Sequence, residues 1–234
     1  MDTIEIHKML RKIKNNLIFR YKVYKQREED KIINRLKVLH RQKIDFISRK
    51  KFTIISANCW GGSVYEDLNL PYATPTVGLF FHGPCFVEFI KDLKNNINQE
   101  LNFVEVSKYV KANKNRSNKN KYPIGKLGSS IEIHFLHYSN SHEASEKWNT
   151  RKKRIIWDNL YYVCTDRDEM TEELMRTFNT LKLKNKVMFT AKRYPNLKST
   201  LQLKAFRKNS EVGNIYKEPY LVTKDFDIIK WLNN

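Results

Sequence analysis

The sequence predicts an α/β domain carrying a basic helical arm. Three observations lead there. From Phe52 onward, short β-branched runs alternate with stretches of helical periodicity. The first fifty residues repeat apolar side chains at three- and four-residue steps, with Lys and Arg between them. The chain has 234 residues, 41% hydrophobic and 12% aromatic, enough for one cored domain and too apolar for wholesale disorder. The predicted arrangement is a three-layer domain around a mostly parallel or mixed sheet over residues 51–234, with the arm over residues 1–50.

Each element has its own reason. Ile6, Leu10, Ile13, Leu17, Tyr21 and Tyr24 place a helix over residues 4–27, and Ile32, Ile33, Leu36 and Leu39 continue it more weakly. FTIISAN (52–58) reads as a buried strand bounded by Cys-Trp-Gly-Gly. YEDLNLPYATP is a loop or short helix, and VGLFF (77–81) a second strand. Pro84 opens a helix over residues 84–97, where its missing N–H costs nothing. LNFVEV (101–106) is a third strand. Residues 107–121 are polar and repetitive and read as a mobile basic loop. IEIHFLHY (131–138) alternates most clearly and is read as one strand. Asn140 and Glu143 form a capping-box pattern that opens a helix through about Arg154. LYYVCTD, DEMTEELMRTFNTL and KVMFTA make a β-α-β unit, and DFDIIKWLNN closes the chain as a helix.

Charge and cysteine usage narrow the function. There are 44 Lys+Arg against 25 Asp+Glu, a formal charge of +19. Residues 1–50 hold 15 basic and 6 acidic residues, about half of that excess. A basic amphipathic helix of this kind suits an anionic membrane surface. Lys outnumbers Arg 31 to 13 and Asn reaches 23, a bias that A-rich codons produce without selection for binding, whereas sequence-reading DNA proteins lean on Arg. No RNP motif, zinc-finger spacing or KH loop is present, so nucleic acid is a remote alternative. No apolar run approaches the ~18 residues of a membrane span, and the N-terminus lacks a secretory apolar core. Cys59, Cys85 and Cys164 form no CxxC pair, which fits a reducing cytoplasm rather than a disulfide framework.

The chemistry is expected at Cys59, as nucleophile or site organiser, and at His137. Cys59 follows a buried strand and precedes Trp60-Gly61-Gly62, a turn whose N–H groups favour a thiolate or an oxyanion. His137, at the far end of its strand, is the expected general base, with His82 in reserve. His134 and His137 lie three steps apart on a strand, hence on opposite faces, which excludes one shared metal. Lys147, Arg151 and Arg154 make a basic stripe suited to phosphate or carboxylate. Asn58, Trp60, Gly61 and Gly62 complete the expected binding residues. GxGxxG, Walker and GxSxG motifs are all missing.

FTIISANCWGG, YEDLNLPYATPTVGLFF, YPIGKLG, IEIHFLHYSNSHEASEKWNTRKKRI and NKVMFTA, taken in order over about residues 51–191, resemble a bacterial exopolysaccharide-biosynthesis family. That family is known as a domain of unknown function, and its members are often labelled acetyltransferases. The family's KW-x-RR pattern stands here as Lys147-Trp148-Asn149-Thr150-Arg151-Lys152, with Lys in the second basic position. The resemblance implies an α/β fold and an enzyme of capsule or exopolysaccharide assembly. Its expected activity is acyl transfer to a sugar hydroxyl, with acetyl-CoA as a candidate donor and a sugar or lipid-linked saccharide as substrate. A non-catalytic adaptor at the inner face of the membrane is the alternative.

Overall fold

The structure, a computed structural model, describes residues 3–47, 51–118, 121–216 and 219–233. It divides into two compact units at Phe46/Ile47. Met1, Asp2 and residues 48–50, which the sequence assigns to the arm, lie outside the described residues.

The first unit is one helix, α1 (Thr3–Ile47), so the weaker second half of the pattern continues the first without a break. Leu10, Ile13, Leu17, Tyr21 and Tyr24 line one side of it, and all five side chains are exposed.

The second unit is α/β, but its strands divide between two sheets instead of sharing one. β1 (Thr53–Ser56), β5 (Leu160–Thr165), β6 (Asn185–Thr190) and β7 (Thr200–Gln202) form an all-parallel sheet in that order. β2 (Leu101–Val104), β3 (Ile124–Leu127) and β4 (Ile131–His134) form an antiparallel sheet. The parallel strands are apolar on both faces, as helix-covered strands must be. Ile54, Ile55, Val163, Cys164, Met188 and Phe189 are all fully buried. Each such side chain contributes roughly 1.5–3 kcal/mol by leaving water.

The helices follow the same logic. α2 (Trp60–Asp67) rises directly from the end of β1. α3 (Gly83–Lys91) carries Pro84 in its first turn, and α4 (Leu93–Asn96) follows. α6 (Ser141–Lys152) begins where the capping pattern places it. Asn140 Oδ1 accepts from Glu143 N at 2.9 Å, and Glu143 Oε2 accepts from Ser139 N at 2.9 Å. Trp148 of α6 is buried between Phe89 and Phe135, each ring centroid 6.2 Å away. α7 (Glu172–Thr180) links β5 to β6 in a β-α-β unit. Thr171 caps it, and Glu172 and Glu173 face its positive end. α8 (Pro219–Thr223) and α9 (Ile228–Asn233) close the chain.

Three expectations need correction. VGLFF is not a strand: it connects the two sheets. Phe81 N donates to Ala57 O at 2.8 Å, while Phe80 exchanges two 2.9 Å backbone bonds with His134. Residues 107–121 are not simply a loop, because α5 (Val110–Asn118) occupies much of the segment. Its polar residues have structural work: Arg116 donates to Tyr122 O and Glu105 O, and Ala112 is buried. Residues 119 and 120 lie outside the described residues. The alternating run from Ile131 ends as a strand at His134, and a turn carries the chain to Tyr138.

Candidate functional site

The site begins at the carboxyl end of β1, where α/β folds usually bind ligands. Past Ser56 the chain continues the parallel pairing for one residue, with Ala57 N donating to Val163 O at 2.8 Å. Asn58 then accepts from Trp60 N at 3.0 Å, and Ser56 Oγ accepts from Gly61 N at 3.3 Å. Gly61 is required by packing: a Cβ there would lie 2.6 Å from Ser56 Cβ. Gly62 N and Ser63 N both donate to Cys59 O. The N–H groups of Trp60, Gly61 and Gly62 are thus occupied by the chain itself. They do not form the open oxyanion cradle expected of them.

Cys59 caps α2 and is 9% exposed. Its Sγ donates to Leu79 O at 3.7 Å. Burial pushes the thiol up to about 11, outweighing the backbone hydrogen bond that favours the thiolate. Cys59 is therefore a neutral thiol at physiological pH.

Residues 77–78 and 137–138 form the next wall. Tyr138 Oη donates to Val77 O at 2.6 Å, and His137 N donates to Gly78 O at 3.0 Å. Gly78 adopts φ +69°, and a Cβ there would meet Tyr138 Cε2 at 3.2 Å and His137 Cβ at 3.3 Å. His137 belongs to the turn after β4, so the strand rule that set it opposite His134 does not apply to it. His134 is fully buried and His137 is exposed.

α6 supplies the third wall. Glu143, Lys147 and Arg151 follow at four-residue steps and face one cavity of about 230 Å³ with Cys59, Gly62, Gly78 and His137. Arg151 Nη1 donates to Tyr138 Oη at 2.5 Å, and its guanidinium lies 5.3 Å from the Tyr72 ring centroid. Tyr72 Oη donates to Glu66 Oε1 at 2.5 Å; burial first, and then this bond, drives the Tyr72 phenol up to about 12. Among the described residues, neither Lys147 nor Arg151 has a carboxylate partner within 4 Å. Glu66 and Glu143 face the same cavity, so an anionic ligand would meet these two cations beside two carboxylates.

The structure therefore brings together Cys59, Gly62, His137, Lys147 and Arg151. Four others lie outside that cavity. Trp60 is buried against Phe189 and Phe226, with ring centroids 5.1 and 6.3 Å away. Gly61 is buried beside it. Arg154 lies beyond the end of α6 at Lys152, because the helix stops two residues early, and it donates to Tyr72 O at 3.5 Å. Asn58 lines a second cavity of about 260 Å³, whose walls share Cys59, His137 and Tyr216 with the first.

Sequence reasoning misses Glu66, Tyr72, Tyr138 and Tyr216, and gives Glu143 a capping role alone. Glu66 follows Cys59 by seven residues, so reading residues 60–67 as a helix finds it. Tyr216 arrives from a distant segment, and no local pattern announces it.

His82, the reserve base, is buried with His134. The two rings are 4.9 Å apart, His82 stacks on Tyr109 at 3.8 Å, and His134 stacks on Phe80 at 4.6 Å. Burial is the main cause that lowers them to about 4 and about 3, so both are neutral. Among the described residues, no group of three or more His, Cys, Asp or Glu is placed to hold a metal ion.

The family is decided by comparison of the whole chain. A family model described as a domain of unknown function, DUF1919, matches residues 29–233. The chain belongs to the DUF1919 family. A Haemophilus influenzae relative, described as an uncharacterized protein, is 37% identical over 192 residues, covering 80% of this chain and 87% of its own length. The DUF1919 match takes in β1 through α9, hence every wall of the cavity, and reaches back into α1. No described helix is long and apolar enough to cross a membrane.

Proposed function

We propose that this DUF1919 protein is an enzyme of bacterial exopolysaccharide or capsule biosynthesis that transfers an acyl group to a sugar hydroxyl. One observation carries the reading: His137, Cys59, Lys147 and Arg151 share a cavity at the carboxyl end of β1. Lys147 and Arg151 suit the phosphates of a sugar phosphate, a lipid-linked saccharide or an acyl donor such as acetyl-CoA. His137 is the exposed base. In the proposed step, the sugar hydroxyl gives its proton to His137 as its oxygen bonds to the acyl carbon. The acyl–sulfur bond of the thioester breaks, and the departing thiolate takes that proton. The neutral Cys59 thiol supports a role as organiser of the wall through Leu79 O rather than as the attacking atom.

The test is chemical analysis of the cell's polysaccharide with His137→Ala, Cys59→Ser and the double variant Lys147→Gln/Arg151→Gln. Loss of acylation or of polymer in the His137 and double variants, with Cys59→Ser retaining much of it, is expected. Unchanged amount and acylation in the His137 variant at normal protein level rejects the reading.

The exposed stripe of α1 supports a place for this enzyme on the inner face of the membrane. From Lys8 to Arg27 the helix carries eight basic residues and no acid, flanking Leu10, Ile13, Leu17, Tyr21 and Tyr24. Apolar burial and attraction to anionic lipid would act together there. Flotation with anionic and neutral vesicles, full chain against residues 51–234, tests it. Equal behaviour of the two chains rejects the anchor.

A further inference from the structure

The second cavity has no role in the reading above. Phe80, Leu136 and Ile215 give it an apolar face, and Arg167, Asp168 and Asn58 a polar one. Its chemistry differs from that of the first cavity, whose rim holds Lys147 and Arg151 with two carboxylates. Cys59, His137 and Tyr216 stand in the shared wall, so His137 faces both spaces.

The second cavity is built by fixed backbone. Asp166, at the end of β5, accepts from Ala191 N at 2.6 Å and from Val212 N at 2.8 Å. This buried carboxylate pins the segment that supplies Gly213–Tyr216. Gly213 packs so closely on Phe206 that a Cβ would lie 2.5 Å from its ring. On the other side, Asp168 and Glu169 hold left-handed φ values of 54° and 65°. Such conformations persist where the surroundings over-determine them, often around ligands. Asp168 O accepts from Gly83 N at 2.7 Å, and a Cβ on Gly83 would lie 2.8 Å from Met170 Cα. The strained turn is therefore locked from behind, and Asp168 is held at the cavity wall. Burial raises its carboxyl above its ordinary value against the pull of the neighbouring Arg167. Arg167 and Asp168 together offer donors and an acceptor to hydroxyls in one wall.

We propose that the second cavity is a separate binding site for a neutral saccharide with an apolar aglycone, occupied at the same time as an anionic ligand in the Lys147/Arg151 cavity. The polar wall of Asn58, Arg167 and Asp168 meets hydroxyls. Phe80, Leu136 and Ile215 meet the apolar face of the ring and its tail. His137, between the two, is placed to take a proton from a hydroxyl on one ligand as the other reacts. This assignment rests on the proposed group transfer for its chemistry, but its test reads binding alone.

The experiment is isothermal titration of the full chain with two probes. Inorganic pyrophosphate tests the first cavity. A panel of octyl glycosides of glucose, galactose and N-acetylglucosamine, each kept below its micellar concentration, tests the second. Each probe is titrated alone and with the other saturating. The expected result is that at least one glycoside binds and that its affinity changes less than threefold when pyrophosphate is bound. Leu136→Trp fills the second cavity from an exposed position, and it weakens glycoside binding at least tenfold with pyrophosphate binding unchanged. Lys147→Gln/Arg151→Gln does the reverse. Failure of the whole panel to bind, competition between the two probes, or equal weakening of both by Leu136→Trp overturns the assignment. Acyl transfer is read separately from polysaccharide composition, so two-site binding can stand where that activity fails, and the reverse.

Discussion

The Arg151 guanidinium lies 5.3 Å from the Tyr72 ring centroid while its Nη1 reaches the Tyr138 hydroxyl. This ties α6 to the segment after α2 and to the turn after β4. Arg151 is thus a ligand candidate already held in place, with little rotamer freedom left to lose on binding.

Arg151→Lys keeps the charge and loses the planar fork. The ammonium cannot stack on Tyr72 and donate to Tyr138 in the same way. Pyrophosphate affinity should fall about tenfold, equivalent to ~1.4 kcal/mol. The melting temperature should fall only slightly, because the pair is partly exposed. Calorimetric titration beside thermal melting checks both, and unchanged affinity refutes the ligand role.

The thiol of Cys59 predicts a chemical silence. With its ionisation pushed up to about 11, very little thiolate exists near neutrality. Cys85 and Cys164 are buried too, and burial raises Cys164 well above its ordinary value. Native protein should therefore resist iodoacetamide near pH 7.5 and react fully once unfolded. Peptide mass mapping reads the sites. Rapid labelling of Cys59 in the folded protein shows an activated nucleophile and reverses the role argued for it.

How far these features are legible in the sequence depends on how local their causes are. The Asn140–Glu143 cap is a contact within one turn, so three residues of spacing were enough to read it. The β5–α7–β6 unit is legible for a similar reason, since each apolar period is carried within its own segment. His137 is the contrary case. Alternation continues from Ile131 to Tyr138, yet the strand ends at His134, where its pairing with β3 stops at Ile124 and Leu136 N turns back to His134 O. The end of that pairing and the Phe80 bridge at the same residue are tertiary, so the segment's own pattern does not carry them. α5 was hidden for the same kind of reason. Its composition is loop-like, and burial of Ala112 and the reach of Arg116 to Glu105 and Tyr122 hold it. In α6 the cavity-facing stripe is Glu143, Lys147 and Arg151, one turn earlier than the Lys147–Arg151–Arg154 spacing predicts. The capping role of Glu143 masks its second place in the cavity wall.

Gly78→Ala should damage both fold and site. A left-handed residue with a Cβ costs about 1–3 kcal/mol. The added methyl also presses on Tyr138 and on His137 Cβ, each about 3.2–3.3 Å away. The expected result is a lower melting temperature together with loss of the acylation proposed for this protein. His137→Ala should lose acylation with little change in melting. If Gly78→Ala melts normally, the turn is not under the constraint described.

The buried histidine pair sets the response to acid. An unfolded histidine titrates near 6.5, whereas burial lowers His82 to about 4 and His134 to about 3. Below pH 6.5 the unfolded chain takes up protons that the folded chain refuses, so stability falls as the pH drops from about 6.5 toward 4. Among the described residues neither ring makes a hydrogen bond of good geometry. The Asp168 backbone favours a charged His82, and Glu169 Oε2 lies 3.9 Å from its Nδ1, but burial outweighs them. Glu132 Oε2 lies 3.6 Å from His134 Nε2, but its carboxylate already accepts from Ser107 Oγ at 2.7 Å and Lys108 N at 2.8 Å. Lys108, Lys111 and Arg116 add repulsion against a charged pair. His134→Leu should remove part of this slope. In urea unfolding from pH 7 to pH 4.5, the variant's stability should change less with pH than that of the natural protein. An identical slope in the two proteins locates the acid response in other groups.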